Sequence, residues 1–235
     1  MIIVIPTYNE EKNILKLTDK IHQYIPKCKI LIIDDTKNSK LHKIFKKNNT
    51  IKFIVRKNKK GRGSAVLFGL KNAIKNKDNK IFIEMDADFS HRRSELNRNI
   101  NFFKKKCDLL IASRYLANSK IKNWSIQRRI FSKLANLLAQ LFLQINVTDY
   151  TNGYRIYSKV AAKKIVNECG KIGDGFIVLS EILLKIHQSK LKIMEIDSLF
   201  INRTRGESSV NFSLILQSLF GLFKLFLIKF KKDQI

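Results

Sequence analysis

The chain has few of the residues that interrupt regular structure or mark disordered segments. Its 235 residues include two prolines and nine glycines, without a low-complexity run or an internal repeat. This composition argues against a disordered chain or a long linker. No hydrophobic run resembles the roughly 20 mainly apolar residues of a membrane-spanning helix. Because 45% of the residues are hydrophobic, the chain can bury one substantial core.

Cysteine is also scarce. Cys28, Cys107 and Cys169 are widely spaced and odd in number, and no Cys-x-x-Cys pair occurs. The pattern excludes a disulfide framework and a cysteine zinc site, and it suits a reducing compartment. The sequence from Met1 to Pro6 has no basic region, and its apolar run is too short for a signal peptide. We therefore expect a protein of the cytoplasmic side.

Acidic residues are few beside basic ones. The chain has 46 Lys and Arg against 19 Asp and Glu, a formal net charge of +27. A chain with this charge is expected to bind an anionic partner, and the candidates are nucleic acid, an anionic membrane surface or a phosphorylated substrate. Composition does not choose among them.

Short β-branched runs alternate with helical patterns through the first half. This order predicts an α/β fold with a mostly parallel sheet and helices on both faces. The predicted strands are Ile2–Ile5, Ile30–Ile33, Lys52–Val55, Ile81–Met85 and Asp108–Ala112, and the clearest helices are Glu10–Tyr24 and Gly63–Lys75. Ligands of such sheets bind beyond the carboxyl ends of the strands, where the loops Pro6–Glu10, Asp34–Asn38 and Asp86–Ser90 are expected.

Two long helical patterns dominate the second half. Ile126–Ile145 carries an apolar stripe, and Phe212–Phe230 gathers Phe and Leu on one side and Ser, Gln, Gly and Lys on the other. We interpret residues 1–210 as one domain and residues 211–235 as an amphipathic helix in the membrane interface, with Lys231 and Lys232 near anionic headgroups. The alternative is a helix packed on the protein's own core or on a small membrane partner subunit.

Two acidic pairs follow predicted strands. Asp86 and Asp88 stand one residue apart after Ile81–Met85, so both can offer oxygen to Mg²⁺ or Mn²⁺ while a diphosphate fills the remaining positions. A solvated turn is the alternative. Asp34 and Asp35 end another strand at the same edge, and Asp35 can accept hydrogen bonds from a nucleobase or ribose.

Basic and hydroxyl side chains follow in an order that favours phosphate binding. Arg114 ends a predicted strand, and Arg128 and Ser132 lie one helical turn apart and share a face. Guanidinium groups with a hydroxyl form a phosphate receptor. The glycine-containing run Lys60–Ser64 is a weaker candidate for phosphate binding, and a tight turn into a helix explains it better.

Taken in order, these segments resemble the inverting glycosyltransferases of the GT-A fold, and within them the dolichyl-phosphate mannosyltransferase group. The resemblance covers about residues 1–210. Its motifs are Ile5-Pro-Thr-Tyr-Asn-Glu-Glu11, Ile33-Asp-Asp35, Gly61-Arg-Gly-Ser-Ala65, Met85-Asp-Ala-Asp-Phe-Ser-His91, Ser113-Arg-Tyr115, Trp124 with Arg128, Ser132 and Asn136, Asp149-Tyr-Thr-Asn-Gly-Tyr-Arg155, Phe176 with Glu181, and Arg203 to Ser208.

The resemblance implies transfer of mannose from GDP-mannose to dolichyl or polyprenyl phosphate with inversion, by a metal-dependent enzyme peripheral to the cytoplasmic face of a membrane. One alternative is transfer of glucose or another sugar from a UDP donor to undecaprenyl phosphate. Another is a related protein without activity. A basic nucleic-acid-binding module is the remote alternative, since no such motif occurs and the acidic pairs oppose a phosphate backbone.

The resemblance also implies roles for individual residues. The nucleotide sugar would contact Pro6, Tyr8, Glu10, Ile33, Asp35, Asp86, Ala87, Asp88, Arg114 and Arg203. The metal would be held by Asp86, Asp88 and Ser90, and the acceptor phosphate by Arg114, Arg128 and Ser132. Asp88, Arg114 and Arg128 would be the catalytic residues.

The chain departs from the family pattern at three places. Thr36 and Lys37 follow Asp34-Asp35 where the family has Gly-Ser. Ser209 stands where a Lys is expected, which leaves Arg205 as the substitute cation, and Arg92 replaces the proline expected after His91.

Overall fold

A computed structural model describes residues 1–37, 39, 41–45, 48–57, 61–104, 106–202 and 212–233. The strands are β1 (Ile2–Thr7), β2 (Lys29–Asp34), β3 (Ile51–Val55), β4 (Ile81–Glu84), β5 (Leu109–Ser113), β6 (Lys120–Lys122), β7 (Arg155–Ser158), β8 (Ile193–Asp197) and β9 (Leu199–Ile201). The helices are α1 (Glu11–Tyr24), α2 (Leu41–Phe45), α3 (Arg62–Ala73), α4 (Leu96–Lys104), α5 (Ile126–Leu143), α6 (Lys159–Glu168), α7 (Ile177–Gln188) and α8 (Phe212–Asp233).

The main sheet has the order β3-β2-β1-β4-β7-β5-β8. Its neighbouring strands are parallel, except that β7 runs antiparallel to both β4 and β5. Strands β6 and β9 form a small parallel pair beside it. The α/β class with a mostly parallel sheet is therefore confirmed, and it agrees with the GT-A fold.

The alternating β-branched residues explain how the sheet is covered on both faces. In β1, Ile3 and Ile5 pack into a core cluster with α1, α2 and α4, whereas Ile2 and Val4 join a second cluster with α3 and α5–α8. Successive side chains of a strand point to opposite faces, so one buried strand supplies both clusters. A strand buried on both faces reads as a continuous apolar run, as β1 does.

The strand register decides where the loops lie. Thr7 at the end of β1 is paired with Asp34 at the end of β2, and Val4 of β1 is paired with Glu84 at the end of β4. The loops after these three strands therefore leave the same edge of the sheet. The two predicted acidic pairs belong to those loops, as expected from the alternation of strands and helices.

Helix α8 packs against the domain along one side. Leu222 and Leu225 are buried in the larger core cluster, and the Phe142 and Phe226 rings lie 5.5 Å apart. Gly221 permits the close approach, because a Cβ there would stand 2.6 Å from Cγ1 of Ile177. In the described residues, no helix is both long and apolar enough to span a bilayer.

Candidate active site

Asp86 lies at the centre of a largely buried charge cluster at this edge, and its own side chain is 27% exposed. Its Oδ1 accepts a hydrogen bond from Nε of Arg62 at 2.8 Å, and Nη2 of Arg62 is 2.7 Å from the same oxygen. Its Oδ2 lies 3.0 Å from Nε2 of His91. Arg62 also donates from Nη1 to the fully buried Glu84 at 2.6 Å, and Tyr157 donates to the other Glu84 oxygen at 2.5 Å. Arg62 thus joins the end of β4 to the loop after it.

The cluster keeps Asp86 ionised. Burial alone would raise the pKa of Asp86, but the Arg62 guanidinium and the His91 hydrogen bond outweigh burial and hold that pKa well below its usual range. Gly153 makes room for the guanidinium, because a Cβ at this position would stand 1.9 Å from Nη2 of Arg62. A carboxylate with a lowered pKa is a poor proton acceptor at neutral pH, and it remains a permanent negative charge.

Asp88 and Ser90 lie in the same loop. Oδ1 of Asp88 accepts a hydrogen bond from the Ser90 backbone N–H at 3.1 Å. The Ser90 hydroxyl is buried and has no hydrogen-bond partner among the described residues. Two carboxylates and an unpartnered hydroxyl form an oxygen set that fits a hard divalent cation once a diphosphate supplies further oxygens. The described residues contain no cluster of three His, Cys, Asp or Glu side chains that could hold a metal ion.

Asp35 is held by an arginine that the sequence motifs did not identify. Arg56 follows β3 and donates from Nε to Oδ1 of Asp35 at 2.6 Å and from Nη2 to Oδ2 at 2.5 Å. Its Nη1 donates to Oγ of Ser64 at 2.8 Å, at the start of α3. The bidentate pair fixes the orientation of the Asp35 carboxylate, and each carboxylate oxygen retains capacity for a further hydrogen bond.

Thr36, one of the departures from the family pattern, ties two loops together. Its hydroxyl donates to Oδ1 of the buried Asp34 at 2.6 Å and accepts from the backbone N–H of Asn9 at 2.7 Å. Asn9 has a φ of 57°, so the loop after β1 turns sharply here. The substitution of Thr for Gly therefore replaces a flexible position with a link between the loops after β1 and β2.

The remaining predicted nucleotide-sugar residues surround this region. Pro6 of β1 is paired with Ile33 of β2, and both are buried, as is Ala87. Tyr8 is 43% exposed at the end of β1, and Oε2 of Glu10 accepts from the Asn13 side chain at 2.6 Å. Arg203, Arg205 and Ser209 lie outside the described residues, as do Asn38 and Lys60 of the predicted loops.

Arg114 is largely buried at the end of β5 and forms a bidentate pair. Its Nε and Nη2 donate to the two Asp149 oxygens at 2.8 and 2.7 Å. Burial alone would lower the pKa of Arg114, but the Asp149 carboxylate outweighs it, and Asp86 also contributes to the raised pKa. The charge of Arg114 is therefore largely offset by Asp149. Nη1 takes part in none of these hydrogen bonds.

Arg128 and Ser132 lie on the first turns of α5, on the side that faces Arg114. Arg128 donates from Nη1 to Oδ1 of Asn202 at 2.6 Å. The Tyr115 hydroxyl donates to Oγ of Ser132 at 2.6 Å, and the Arg114 guanidinium lies 5.5 Å from the centre of the same tyrosine ring. The three predicted acceptor-phosphate residues are thus brought to one place.

The sequence did not predict the contacts that four residues make in the site, which are Arg56, Arg62, His91 and Tyr115. Arg62 belonged to the glycine-containing run that was assigned to phosphate binding or a tight turn, and its partners Glu84 and Asp86 are distant in sequence. An isolated arginine after β3 carried no recognisable spacing. His91 belonged to a motif of the family resemblance that gave it no role, and its buried contact with Asp86 explains why a histidine stands there.

Curated relatives align along most of the chain. It is 27% identical over 224 residues to the polyprenol monophosphomannose synthase of Mycolicibacterium smegmatis, covering 93% of this chain and 84% of that protein. It is 30% identical over 231 residues to the dolichol-phosphate mannosyltransferase of Pyrococcus furiosus, covering 95% of this chain. The chain spans only 62% of the length of the Pyrococcus protein.

Solved structures share the fold at low sequence identity. Glucosyl-3-phosphoglycerate synthase from Mycobacterium tuberculosis, in complex with Mn²⁺, UDP and phosphoglyceric acid, superposes with a TM-score of 0.66. It is 14% identical, and the match covers 96% of this chain and 78% of that one. The complex of the same enzyme with UDP has a TM-score of 0.64 at 12% identity, covering 96% and 79%. At this identity the likeness concerns the fold alone.

The family assignment rests on the sequence. Residues 2–166 match the family described as glycosyl transferase family 2, which includes β1 through most of α6 and every carboxylate of the candidate site. The chain therefore belongs to glycosyl transferase family 2 and is a glycosyltransferase.

Proposed function

We propose that this protein transfers mannose from GDP-mannose to dolichyl or another polyprenyl phosphate, with inversion at the anomeric carbon. The observation that carries the proposal is the meeting of two sets of side chains at one sheet edge. Asp86 and Asp88 suit the metal and diphosphate of a donor, while Arg114, Arg128 and Ser132 suit an acceptor phosphate. The Phe200 ring lies 5.5 Å from the ring of His91, which contacts Asp86, and 5.5 Å from the Arg114 guanidinium, so the two sets adjoin. The names of the two curated relatives support mannose as the sugar and a polyprenol as the acceptor.

Acceptor chemistry explains why no catalytic base is needed. A phosphate monoester has a second pKa of about 6, so its oxygen is already largely ionised at neutral pH. Asp86 is kept ionised by Arg62 and His91, which suits a binding role better than proton transfer. Arg114, Arg128 and the Ser132 hydroxyl would orient the phosphate oxygen toward the anomeric carbon. Catalysis would then come from positioning and electrostatic stabilisation.

Asp86, Asp88 and Ser90 are the residues proposed to hold Mg²⁺ or Mn²⁺. When bound, the metal would stabilise the negative charge of the departing nucleoside diphosphate. On the nucleotide side, Arg56 would hold Asp35 in position for hydrogen bonds with the ribose or base, while the exposed Tyr8 ring would pack against the nucleotide.

Exposed apolar side chains on two packed helices support a peripheral position on a membrane. Helix α5 exposes Ile126, Ile130, Phe131, Leu134, Leu137 and Leu141, and α8 exposes Leu219, Phe220, Phe223, Leu227 and Phe230. We call these eleven residues the two-helix apolar face. Arg128 and Ser132 lie on the first turns of α5, the helix that carries part of this face, so a lipid-borne phosphate at the bilayer surface would lie near them. The three cysteines are free, which suits the proposed cytoplasmic face.

The reaction is tested with the full chain, polyprenyl phosphate and a panel of labelled nucleotide sugars. Mannosyl lipid from GDP-mannose, in a β-linkage by NMR, is the expected product. The matched control is unphosphorylated polyprenol, which should accept no sugar because the arginines then have no anion to orient. Glucosyl lipid from UDP-glucose as the main product would reject the proposed donor and favour the undecaprenyl-phosphate glucosyltransferase alternative.

A further inference from the structure

Trp124 is the single tryptophan of the chain, and it lies between β6 and α5. It is 8% exposed and has two cations over its ring. The Arg128 guanidinium carbon lies 4.4 Å from the ring centre, and that of Arg114 lies 5.3 Å from it. The Phe200 ring meets the indole edge to face at 5.2 Å. The indole therefore contacts both arginines that the proposed function assigns to the acceptor phosphate.

We propose that Trp124 is a positioning residue for the acceptor phosphate, with its indole ring holding the Arg114 and Arg128 guanidinium groups together at one anion site. The inference rests on the proposed function, because it concerns the acceptor of that reaction.

Charge explains why such a residue is needed. Two guanidinium groups repel each other, and Asp149 offsets the charge of Arg114 but has no hydrogen bond to Arg128. The electron-rich face of an indole attracts both cations and adds no negative charge that would compete with a phosphate. An aromatic ring can therefore hold the two arginines beside each other without a negative charge of its own.

A second observation points to a ligand at this place. The indole Nε1–H is buried and has no hydrogen-bond acceptor among the described residues. Buried hydrogen-bond donors normally have an acceptor. An indole N–H without one, beside two cations, therefore indicates a place where an anion or another acceptor binds. A phosphate oxygen supplies the acceptor that all three groups share.

The unaltered chain offers a direct readout, because its intrinsic tryptophan fluorescence reports on Trp124 alone. A water-soluble short-chain prenyl phosphate should change the emission in a saturable way, and the corresponding prenyl alcohol should not. The Arg128→Ala variant should raise the apparent dissociation constant at least tenfold. An acceptor that is turned over by the enzyme but leaves the emission unchanged at saturation would overturn the inference.

Substitutions test the positioning role. Trp124→Leu should raise the KM for prenyl phosphate at least tenfold, while the dissociation constant for the nucleotide sugar stays within twofold of the parent. The KM of Trp124→Phe should lie between those of the parent and of Trp124→Leu. Phe102→Leu is the matched control, since it removes another ring that has a cation, Lys106, at 4.6 Å. An acceptor KM within twofold of the parent in folded Trp124→Leu would reject the role. If that variant does not fold, Trp124→Phe and the fluorescence titration decide.

The transfer assay and the measurements of acceptor binding together distinguish a failure of the inference from a failure of the proposed function. Sugar transfer by the parent with an unchanged acceptor KM in the Trp124 variants rejects the inference and leaves the function standing. Saturable, Arg128-dependent binding of prenyl phosphate, without transfer of any sugar of the panel, rejects the function and supports the anion site at Trp124.

Discussion

The two-helix apolar face offers a test of membrane binding that leaves the core intact. Leu137 and Leu141 are 61% and 65% exposed on α5, so replacing both with Gln removes apolar surface that the folded protein does not use. Gln is a good helix former, and substitutions at exposed sites usually change the free energy of unfolding by less than about 0.5 kcal/mol. The double variant should therefore unfold at nearly the temperature of the parent.

The expected loss of membrane affinity follows from the exposed fractions. Full burial of a Leu side chain is worth about 1.5–3 kcal/mol, so nearly two thirds of each side chain entering the lipid is worth about 1–2 kcal/mol. Two such residues contribute about 2–4 kcal/mol, which corresponds to a roughly 30-fold or larger loss of affinity for liposomes. High salt should weaken binding only in part, because screening does not act on apolar contacts.

Liposome flotation measures the effect. The matched control is the pair Ile44→Gln and Val160→Gln, which removes two side chains that are 57% and 60% exposed but lie on α2 and α6 rather than on the two helices of the face. The control should float with the liposomes as the parent does. Equal flotation of the Leu137→Gln, Leu141→Gln protein would refute the reasoning. Parent protein that floats only with a co-expressed membrane subunit would assign the face to that partner instead.

The other predictions concern the site itself. Asp88→Asn should abolish the Mn²⁺-dependent part of nucleotide-sugar affinity in calorimetry, because it removes a carboxylate charge, while Ser90→Ala should cost far less; unchanged affinity in Asp88→Asn would contradict the metal assignment. Arg128→Ala should weaken use of the acceptor by about 1.5–3 kcal/mol, or roughly tenfold to more than a hundredfold, with donor binding intact. If acceptor kinetics match the parent, the phosphate binds elsewhere. Asp149→Asn should lower the free energy of unfolding at pH 7 by about 3 kcal/mol, since it leaves the buried Arg114 unpaired. Burial raises the pKa of Asp149, but Arg114 outweighs burial and lowers it below the unfolded value of about 3.9. The stabilisation that the Asp149 carboxylate provides is therefore fully present above about pH 4 and is lost as the pH falls through the pKa of Asp149 in the folded protein. In urea unfolding, the free energies of unfolding of the parent and Asp149→Asn should differ less at pH 3 than at pH 7. An equal difference at both pH values would contradict this reasoning.

The local sequence pattern was enough to predict the architecture of the first half of the chain. A strand such as β1 is recognisable because β-branched residues run without interruption, and a helix such as α1 because Ile14, Leu17, Thr18 and Ile21 fall on one buried face. Once strands and helices alternate, the parallel sheet and its ligand-binding edge follow from general rules of chain topology. Asp86 and Asp88 could thus be placed at that edge from the sequence.

The partners of those residues depended on the tertiary structure. Arg62 and Asp86 are 24 positions apart, and Arg114 and Asp149 are 35 apart, so no spacing in the sequence predicts either pair. The interaction between two charged side chains depends on their distance and burial, and both are set only when the sheet has assembled.

Helix α8 shows the same division between pattern and packing. The sequence predicted an amphipathic helix with Gly221 on its polar side, but the structure packs Gly221 against α7 because a residue without a side chain permits the closest approach. Part of the apolar side is left exposed next to the apolar side of α5. Periodicity determines which residues share a face, and only the packed neighbours decide which face is covered.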